Sequence, residues 1–292
     1  MSFIQNFILS ALSFLKILLW SKPLKSNKKE RQKNQNKKLI VVVNGPSFRK
    51  SLEKYSEIIK QTPILTVNLF CCYDFFEALK PKHYLLLAPQ FFKEDKELSE
   101  LYIKNNKDLF SSLATKTSWE MNLYVPIKFK KSKNLKELKI KNKKLKIQYF
   151  NSTPIEGLKN VSNFFFSQRL GMPRPHNVLI PSLMVAISNG FKKIAIIGAD
   201  HSWLSEVSVS NKNEALVNQK HFYDESTSKS EQMNDYIKRP RKLHEVLHKF
   251  FLAFKGYWEI KDFAQNKKVQ IVNSSETSMI DAFDRKPLDA FL

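Results

Sequence analysis

The sequence has only two cysteines among 292 residues, and they are neighbours, Cys71 and Cys72, inside a largely apolar run. Vicinal cysteines can neither staple a fold nor supply a metal knuckle, so they read as core thiols in a reducing compartment. Cys-x-x-Cys and Asp-x-Asp are both missing, no Gly-Lys-Ser/Thr follows the first strand to make a Walker loop, and no internal repeat is present. Acidic residues are also scarce, 27 against 49 Lys and Arg, leaving a formal charge of +22. That excess is not spread over a binding face. Residues 1–38 carry nine Lys or Arg against one Glu, and residues 127–147 carry ten Lys against one Glu. Neither segment interleaves its lysines with aromatics as a base-stacking platform does, so a nucleic-acid partner is not expected. A basic strip beside a membrane is the more economical reading, because anionic headgroups attract each Lys by roughly 1 kcal/mol.

What is present is enough apolar residue, 42%, to build a substantial core. Residues 3–20, FIQNFILSALSFLKILLW, are strongly apolar but interrupted by Gln5, Asn6, Ser10, Ser13 and Lys16. The basic cluster follows this stretch and does not precede it, so a cleaved secretory signal is not expected. The open readings are a helix lying in the membrane interface with Trp20 at headgroup level, one marginal span, or a helix packing on the domain or a partner. Either membrane reading leaves the domain cytoplasmic, the first as a peripheral protein of the inner membrane.

Residues 33–38 form a polar linker, and 39–292 form one α/β domain. Leu39 to Val43 is a continuous, mostly β-branched run, as a strand covered on both faces requires. Asn44-Gly45-Pro46-Ser47 breaks it, and Phe48 to Lys60 forms the next helix with Ser47 as its N-cap. Further strands are expected at 64–68, 84–88, 193–200 and 268–273. Helices are expected at 181–188 and 244–264, the latter with an interruption at Gly256. Alternation of this kind predicts a modified Rossmann-like, mostly parallel sheet flanked by helices. The lysine-rich 127–147 reads as a solvated insertion. The polar 201–243, lacking strong periodicity, reads as a lid.

Gly45 permits close backbone approach, and the helix after it offers free N–H groups to a phosphate. Asp200 falls at a strand's carboxyl end, where open α/β sheets bind ligands. His244-Glu245-Val246-Leu247-His248 matches His-Glu-x-x-His and raises zinc, but the extensions of the known zinc-peptidase patterns are missing and no metal site is expected.

The pattern VVVNGPS, Val67-Asn68-Leu69-Phe70 after it, Pro89-Gln90-Phe91-Phe92 after the third strand, and NGFKKIAIIGAD at 189–200 resembles the Campylobacter-type bacterial sialyltransferases. It is similar also to 6-hydroxymethylpterin pyrophosphokinase-like domains, which include transferases of nonulosonic acids to flagellin. This resemblance implies a metal-independent, inverting glycosyltransferase with no cofactor. Its CMP-activated donor would sit at the sheet's carboxyl edge, and its acceptor would be a glycan or glycolipid precursor of lipopolysaccharide or capsule, with homo-oligomers common among relatives. Asn44, Gly45, Pro46, Ser47, Asn68 and Pro89 match the family's donor loops. Ala88 stands where the family has Asn, and Pro173-Arg174-Pro175-His176-Asn177 replaces its Arg-Ile-Thr-Ser-Gly stretch, leaving Arg174 to meet a carboxylate or phosphate. His221 and Tyr223 fall in the place of the family's lid segment and become phosphate-side candidates. Asp200 and His201 close the donor side. For the base, an imidazole suits deprotonation near neutral pH. His244 is preferred, with His221 second, and Lys238, Arg239 and Arg241 lie beside His244. Competing readings are a pterin pyrophosphokinase-like phosphotransferase, which needs clustered carboxylates, and a catalytically silent scaffold of the same fold.

Overall fold

The structure, a computed structural model, describes residues 2–25, 27–218, 220–222, 228–234 and 239–292. Its centre is an eight-stranded sheet. In chain order the strands are β1 (Lys38–Val42), β2 (Ile64–Val67), β3 (His83–Leu85), β4 (Met121–Pro126), β5 (Leu145–Phe150) and β6 (Lys193–Ile197). A small three-stranded sheet of β7 (Val207–Val209), β8 (Ala215–Val217) and β9 (Glu231–Gln232) follows, before β10 (Gln270–Asn273) and β11 (Asp284–Arg285) complete the large sheet. Its order is β11-β10-β6-β1-β2-β3-β4-β5, and every pairing is parallel. The small sheet is antiparallel.

The helices are α1 (Phe3–Trp20), α2 (Lys28–Asn34), α3 (Phe48–Gln61), α4 (Phe75–Leu79), α5 (Glu100–Lys116), α6 (Lys133–Lys141), α7 (Lys159–Ser167), α8 (Leu179–Ser188), α9 (Leu243–Asn266) and α10 (Leu288–Phe291). Strand side chains alternate between faces, so β1 feeds two cores. Leu39 and Val41 join Leu183, Tyr257 and Phe263 under α8 and α9. Ile40 and Val42 join Phe48, Ile59, Leu109 and Leu138 under α3, α5 and α6. Each such fully buried aliphatic side chain contributes about 2 kcal/mol of hydrophobic stabilisation. A β-branched run with no polar position is what a strand covered on both sides must be, and the expected α/β sheet is what forms.

Three expectations are corrected, and a fourth gains detail. Residues 127–147 are not an insertion: after a short 3₁₀ turn they form α6 and the first half of β5, a regular crossover whose Leu135 and Leu138 are buried while the lysines of α6 face water. Residues 33–38 are not a free linker, and of the readings left open for residues 3–20 the helix packs on the domain. α2 occupies part of the linker, and Asn34 Nδ2 donates to the Asn189 carbonyl at 3.2 Å, while α1 docks on the 150–158 loop as described below. Gly256 does not interrupt α9; a Cβ there would sit 3.1 Å from Ile180, so the missing side chain brings α9 close to α8. The 201–243 segment contains the small sheet, whose Ala215 and Val217 share a core with Val246 and Phe250 of α9.

Candidate functional site

β1 to β5 step away in one direction and β6 lies on the other side of β1, so β1 and β6 flank the topological switch point where open α/β sheets bind ligands. A cleft of about 1500 Å³ opens there, lined by residues from the carboxyl ends of β1 through β6. It exceeds the volume of a single-ligand pocket, roughly 300–1,000 Å³, and has room for two substrates. A second hollow beside Tyr124 and Asn189 holds about 30 Å³, enough for a single water.

The floor of the cleft is the Asn44–Ser47 loop against Gly198–Asp200. Gly45 N–H donates to the Gly198 carbonyl at 2.8 Å. A Cβ on Gly45 would lie 2.2 Å from Asp200 Oδ2 and 2.4 Å from the Gly198 carbonyl, so only glycine fits. Asp200 Oδ2 accepts from Ser47 N–H at 3.0 Å, and its Oδ1 accepts from the Thr277 hydroxyl at 2.9 Å. Two expectations change as a result. The amides that enter α3 are not open to a phosphate: that of Ser47, before the helix, is occupied by the carboxylate of Asp200, and that of Phe48, its first residue, by the Gly45 carbonyl at 3.1 Å. Ser47 is not the side-chain cap either: its Oγ is buried without a partner. Pro46 shapes the turn but does not line the cleft.

Asn44 and Asn68 do line it. Asn44 Nδ2 donates to the Val67 carbonyl at 3.3 Å, tying β1 to β2, and its Oδ1 is buried without a partner. Asn68 adopts φ 50°, and its carbonyl accepts from the Tyr84 hydroxyl. Pro89 follows Ala88 on the next strand end, and both line the cleft. From the lid segment, Phe222 N–H donates to the Asn44 carbonyl at 2.9 Å. Its ring is buried between Phe48, Phe70 and Tyr73, and Arg49 Nε donates to its carbonyl at 3.0 Å. Phe222 therefore clasps the lid to the floor and sets His221 on the cleft wall. Tyr223 lies outside the described residues, as do Asp224 and Lys238.

The outer wall is cationic. Lys22, Lys128, Lys130, Lys131, Lys220, Lys249 and Arg174 line the cleft, whereas Asp200 is the one carboxylate among the described lining residues. Burial lowers the pKa of Lys128, and burial with the nearby Arg241 lowers that of Lys249. Arg174 pairs with Glu156 at 3.0 Å, and Glu156 also meets Lys16 of α1 at 3.2 Å. Beside it, His176 is held near pKa 4 by burial and by the charges of Arg174 and Lys249, so it is neutral at pH 7. Asn177 Oδ1 accepts from Leu179 N–H at 3.0 Å and caps α8. His201, at φ 48°, is fully buried, its pKa pushed down to about 3 by desolvation. One ring nitrogen lies 3.4 Å from the Tyr257 hydroxyl, and Trp203 stands edge-on at 4.2 Å. Arg174 Nε, His176 Nε2, His201 Nδ1 and Asn44 Oδ1 are buried without partners. Unsatisfied polar atoms are rare in folded chains, and these four line the cleft, which makes it the candidate ligand site.

His244 does not belong to this site. It is exposed on the first turn of α9, and neither it nor His248 lines the cleft. Glu245 between them accepts from both Arg239 guanidinium nitrogens, at 2.7 and 3.1 Å, and from Lys242 N–H at 2.8 Å. Those contacts, the Arg239 bond first, hold its carboxyl near pKa 2, as a cap and not as a general base. Among the described residues no three His, Cys, Asp or Glu side chains are grouped to hold a metal ion. Of the scattered carboxylates, Asp200 is held by the floor and Asp281 accepts from the Trp258 indole at 3.2 Å, so the cluster a pterin phosphotransferase needs does not form from them.

Sequence reasoning named the floor, Arg174, His201 and His221, and missed His176, Asn177, Lys128 and Lys249. The signal for Asn177 was present as an Asn two residues before the apolar run of α8. The lysines carried none, because a charge-dense stretch conceals which members face a cleft.

No family model matches the chain, and no curated protein matches it. Among solved structures, a MAf glycosyltransferase from Magnetospirillum magneticum AMB-1 superposes with a TM-score of 0.48 at 10% identity over 91% of this chain. The chain spans 35% of that structure's length. The motif resemblance to sialyltransferases thus rests on its own residues.

Proposed function

We propose that the chain is a glycosyltransferase whose cleft binds a nucleotide-activated sugar, with a CMP-linked nonulosonic acid as donor and a cell-surface glycan precursor as acceptor. The observation that supports this most is the charge of the cleft: among the described residues seven cationic side chains line it, of which Arg174 and Lys220 also meet Glu156 and Glu206, and the one carboxylate among them is already bonded to Ser47 and Thr277. Such a site suits a ligand with several negative charges. A sialic-acid-like donor carries two, its phosphodiester and its own carboxylate. In this reading Asn44, Gly45 and Asn68 meet the nucleoside. Arg174, Lys128 and Lys249 meet the phosphate and the carboxylate, supplying the charge stabilisation that leaving CMP requires without a divalent cation. His221 takes the acceptor hydroxyl proton as that oxygen attacks the anomeric carbon from the side opposite CMP, inverting its configuration.

A thermal-shift series with CMP, UDP and GDP and their sugars, with and without EDTA, tests the reading. A ligand that binds the native state raises its stability according to its concentration and affinity. The expected result is a shift with cytidine nucleotides that EDTA leaves intact, followed by loss of sugar transfer in His221→Gln with the shift retained. No shift with any nucleotide removes the proposal.

A further inference from the structure

The face of α1 turned toward the protein is its polar one. Ser13 Oγ donates to the Glu156 carbonyl and accepts from the Glu156 amide, both at 2.9 Å. Ser10 Oγ accepts from Leu158 N–H at 2.8 Å, and Lys16 reaches Glu156 at 3.2 Å. Gly157, at φ 120°, lets this loop meet the helix backbone: a Cβ there would stand 2.3 Å from Ser10 Oγ. Just past the helix, Lys22 and Asn151 exchange two hydrogen bonds, each 2.9 Å. The residues that interrupt the apolar run are therefore the docking stripe.

Apart from Ile17, which joins the core, and half-buried Leu9, the apolar residues are left outside. Phe3, Ile4, Phe7, Ile8, Leu15 and Leu18 are each more than half exposed, Phe3 at 73%. Phe14 stacks on Phe165 of α7 at 6.3 Å, and the neighbouring Phe164, 58% exposed, extends the surface. Water tolerates apolar patches of this size poorly. The helix ends in exposed Trp20, and Lys22, Lys25, Lys28 and Lys29 follow. An apolar face, a terminal Trp and then a basic cluster is the order in which a chain crosses from acyl tails through the interface to anionic headgroups.

We infer that α1 seats the chain on an anionic lipid bilayer, lying in its interface and remaining docked on the domain. A spanning α1 would give up the Ser10, Ser13 and Lys16 contacts and strand the Glu156–Leu158 loop. Leu19, Trp20 and Lys22 at the end of this helix also line the cleft. The cleft mouth then opens at the headgroup layer, and, resting on the transferase reading above, the acceptor is a membrane-anchored molecule that presents its hydroxyl from the bilayer.

Vesicle flotation of the full chain tests this without any nucleotide, so its failure and the failure of donor binding are separate results. The expected outcome is flotation with vesicles containing phosphatidylglycerol, about tenfold less with pure phosphatidylcholine, and release by alkaline carbonate. Ile4→Gln/Ile8→Gln/Leu15→Gln, all at exposed positions, weakens flotation about tenfold while the melting temperature holds. Lys25→Gln/Lys29→Gln removes part of the preference for anionic vesicles and leaves α1 untouched. Retention after carbonate means that α1 spans and overturns the inference. So does vesicle binding unchanged in the triple variant, or an α1-dependent dimer that ignores vesicles.

Discussion

The floor and the outer wall of the cleft are built on opposite plans. On the floor, charge is consumed internally: Asp200 caps α3 through Ser47 and is fixed again by Thr277, and Ala199 N–H is held by Ser275 at 2.9 Å. On the outer wall, cations are in excess among the described residues, and Arg174 Nε and His176 Nε2 are buried unpaired. Shape and charge recognition are thus divided. Under the proposed function, the floor is the close, neutral surface for the nucleoside, and the outer wall meets the donor's negative charge.

The comparison breaks most severely at Gly45. In Gly45→Val the new side chain collides with Asp200 Oδ2 and the Gly198 carbonyl, at 2.2 and 2.4 Å for Cβ alone. Backbone on one side and a bonded carboxylate on the other cannot give way cheaply. Urea denaturation is expected to show a loss of roughly 3 kcal/mol or more. Stability close to the parent's would mean that the floor is not closed as described.

Acid tests the buried imidazoles of both plans next. His201 and the core His83 are buried neutral, at about 3 and about 4 against an ordinary 6.5, desolvation being the largest cause for each, and the less deeply buried His176 of the outer wall is shifted the same way. The unfolded chain binds these protons first. The stability each contributes is complete above pH 6.5 and is lost as pH falls toward its folded pKa, about 2 kcal/mol apiece by pH 5. Melting temperature measured from pH 7.5 to 5 should fall, and His83→Leu should flatten part of the fall. A flat profile in the parent would place both rings in contact with water.

The difference between the walls also explains what could be read from the sequence. Leu39–Val43 and Ile194–Ile197 declare buried strands because a strand covered on both faces has no polar alternation to hide it. β5 is different: Lys146 is exposed and Gln148 interrupts its apolar positions, so a lysine-rich crossover resembled an insertion. Asp200 was legible as a strand-end carboxylate, but its partner Ser47 lies 153 residues away, and no local pattern encodes such a contact. The polar stripe Ser10, Ser13, Lys16 was visible in α1, while the face it turns to the protein was not, since periodicity fixes a stripe and not its direction. His244 drew attention as base through its place in the resemblance, and as a zinc ligand through its spacing from His248, but α9 turns it into solvent.

On the outer wall, Arg174→Met and Lys249→Met are expected to weaken nucleotide binding about tenfold each, as loss of one charge-assisted contact does. Stability should barely move. Arg174 is partly exposed and Lys16 stays on Glu156 when Arg174 is removed, so that pair is worth about 1 kcal/mol, and burial already disfavours the Lys249 charge. Asp200→Asn should do the reverse, lowering the melting temperature with less effect on affinity. Titration calorimetry beside a thermal melt separates the two. An outer-wall variant that unfolds the chain without altering affinity would dissolve the division between the walls.

The smallest effect is the most discriminating for the base. His244 is exposed, outside the cleft lining, on the turn where Glu245 is bound to Arg239 and to the Lys242 amide. His221 is on the cleft wall, fixed by the clasp of Phe222 on Asn44. A general base must come within about 3 Å of the hydroxyl it deprotonates, or act through one water. His244→Gln should therefore change sugar transfer by less than about twofold, since an exposed substitution away from the reacting atoms alters little. A loss as large as that of His221→Gln would mean that α9 swings its first turn over the cleft when the acceptor binds.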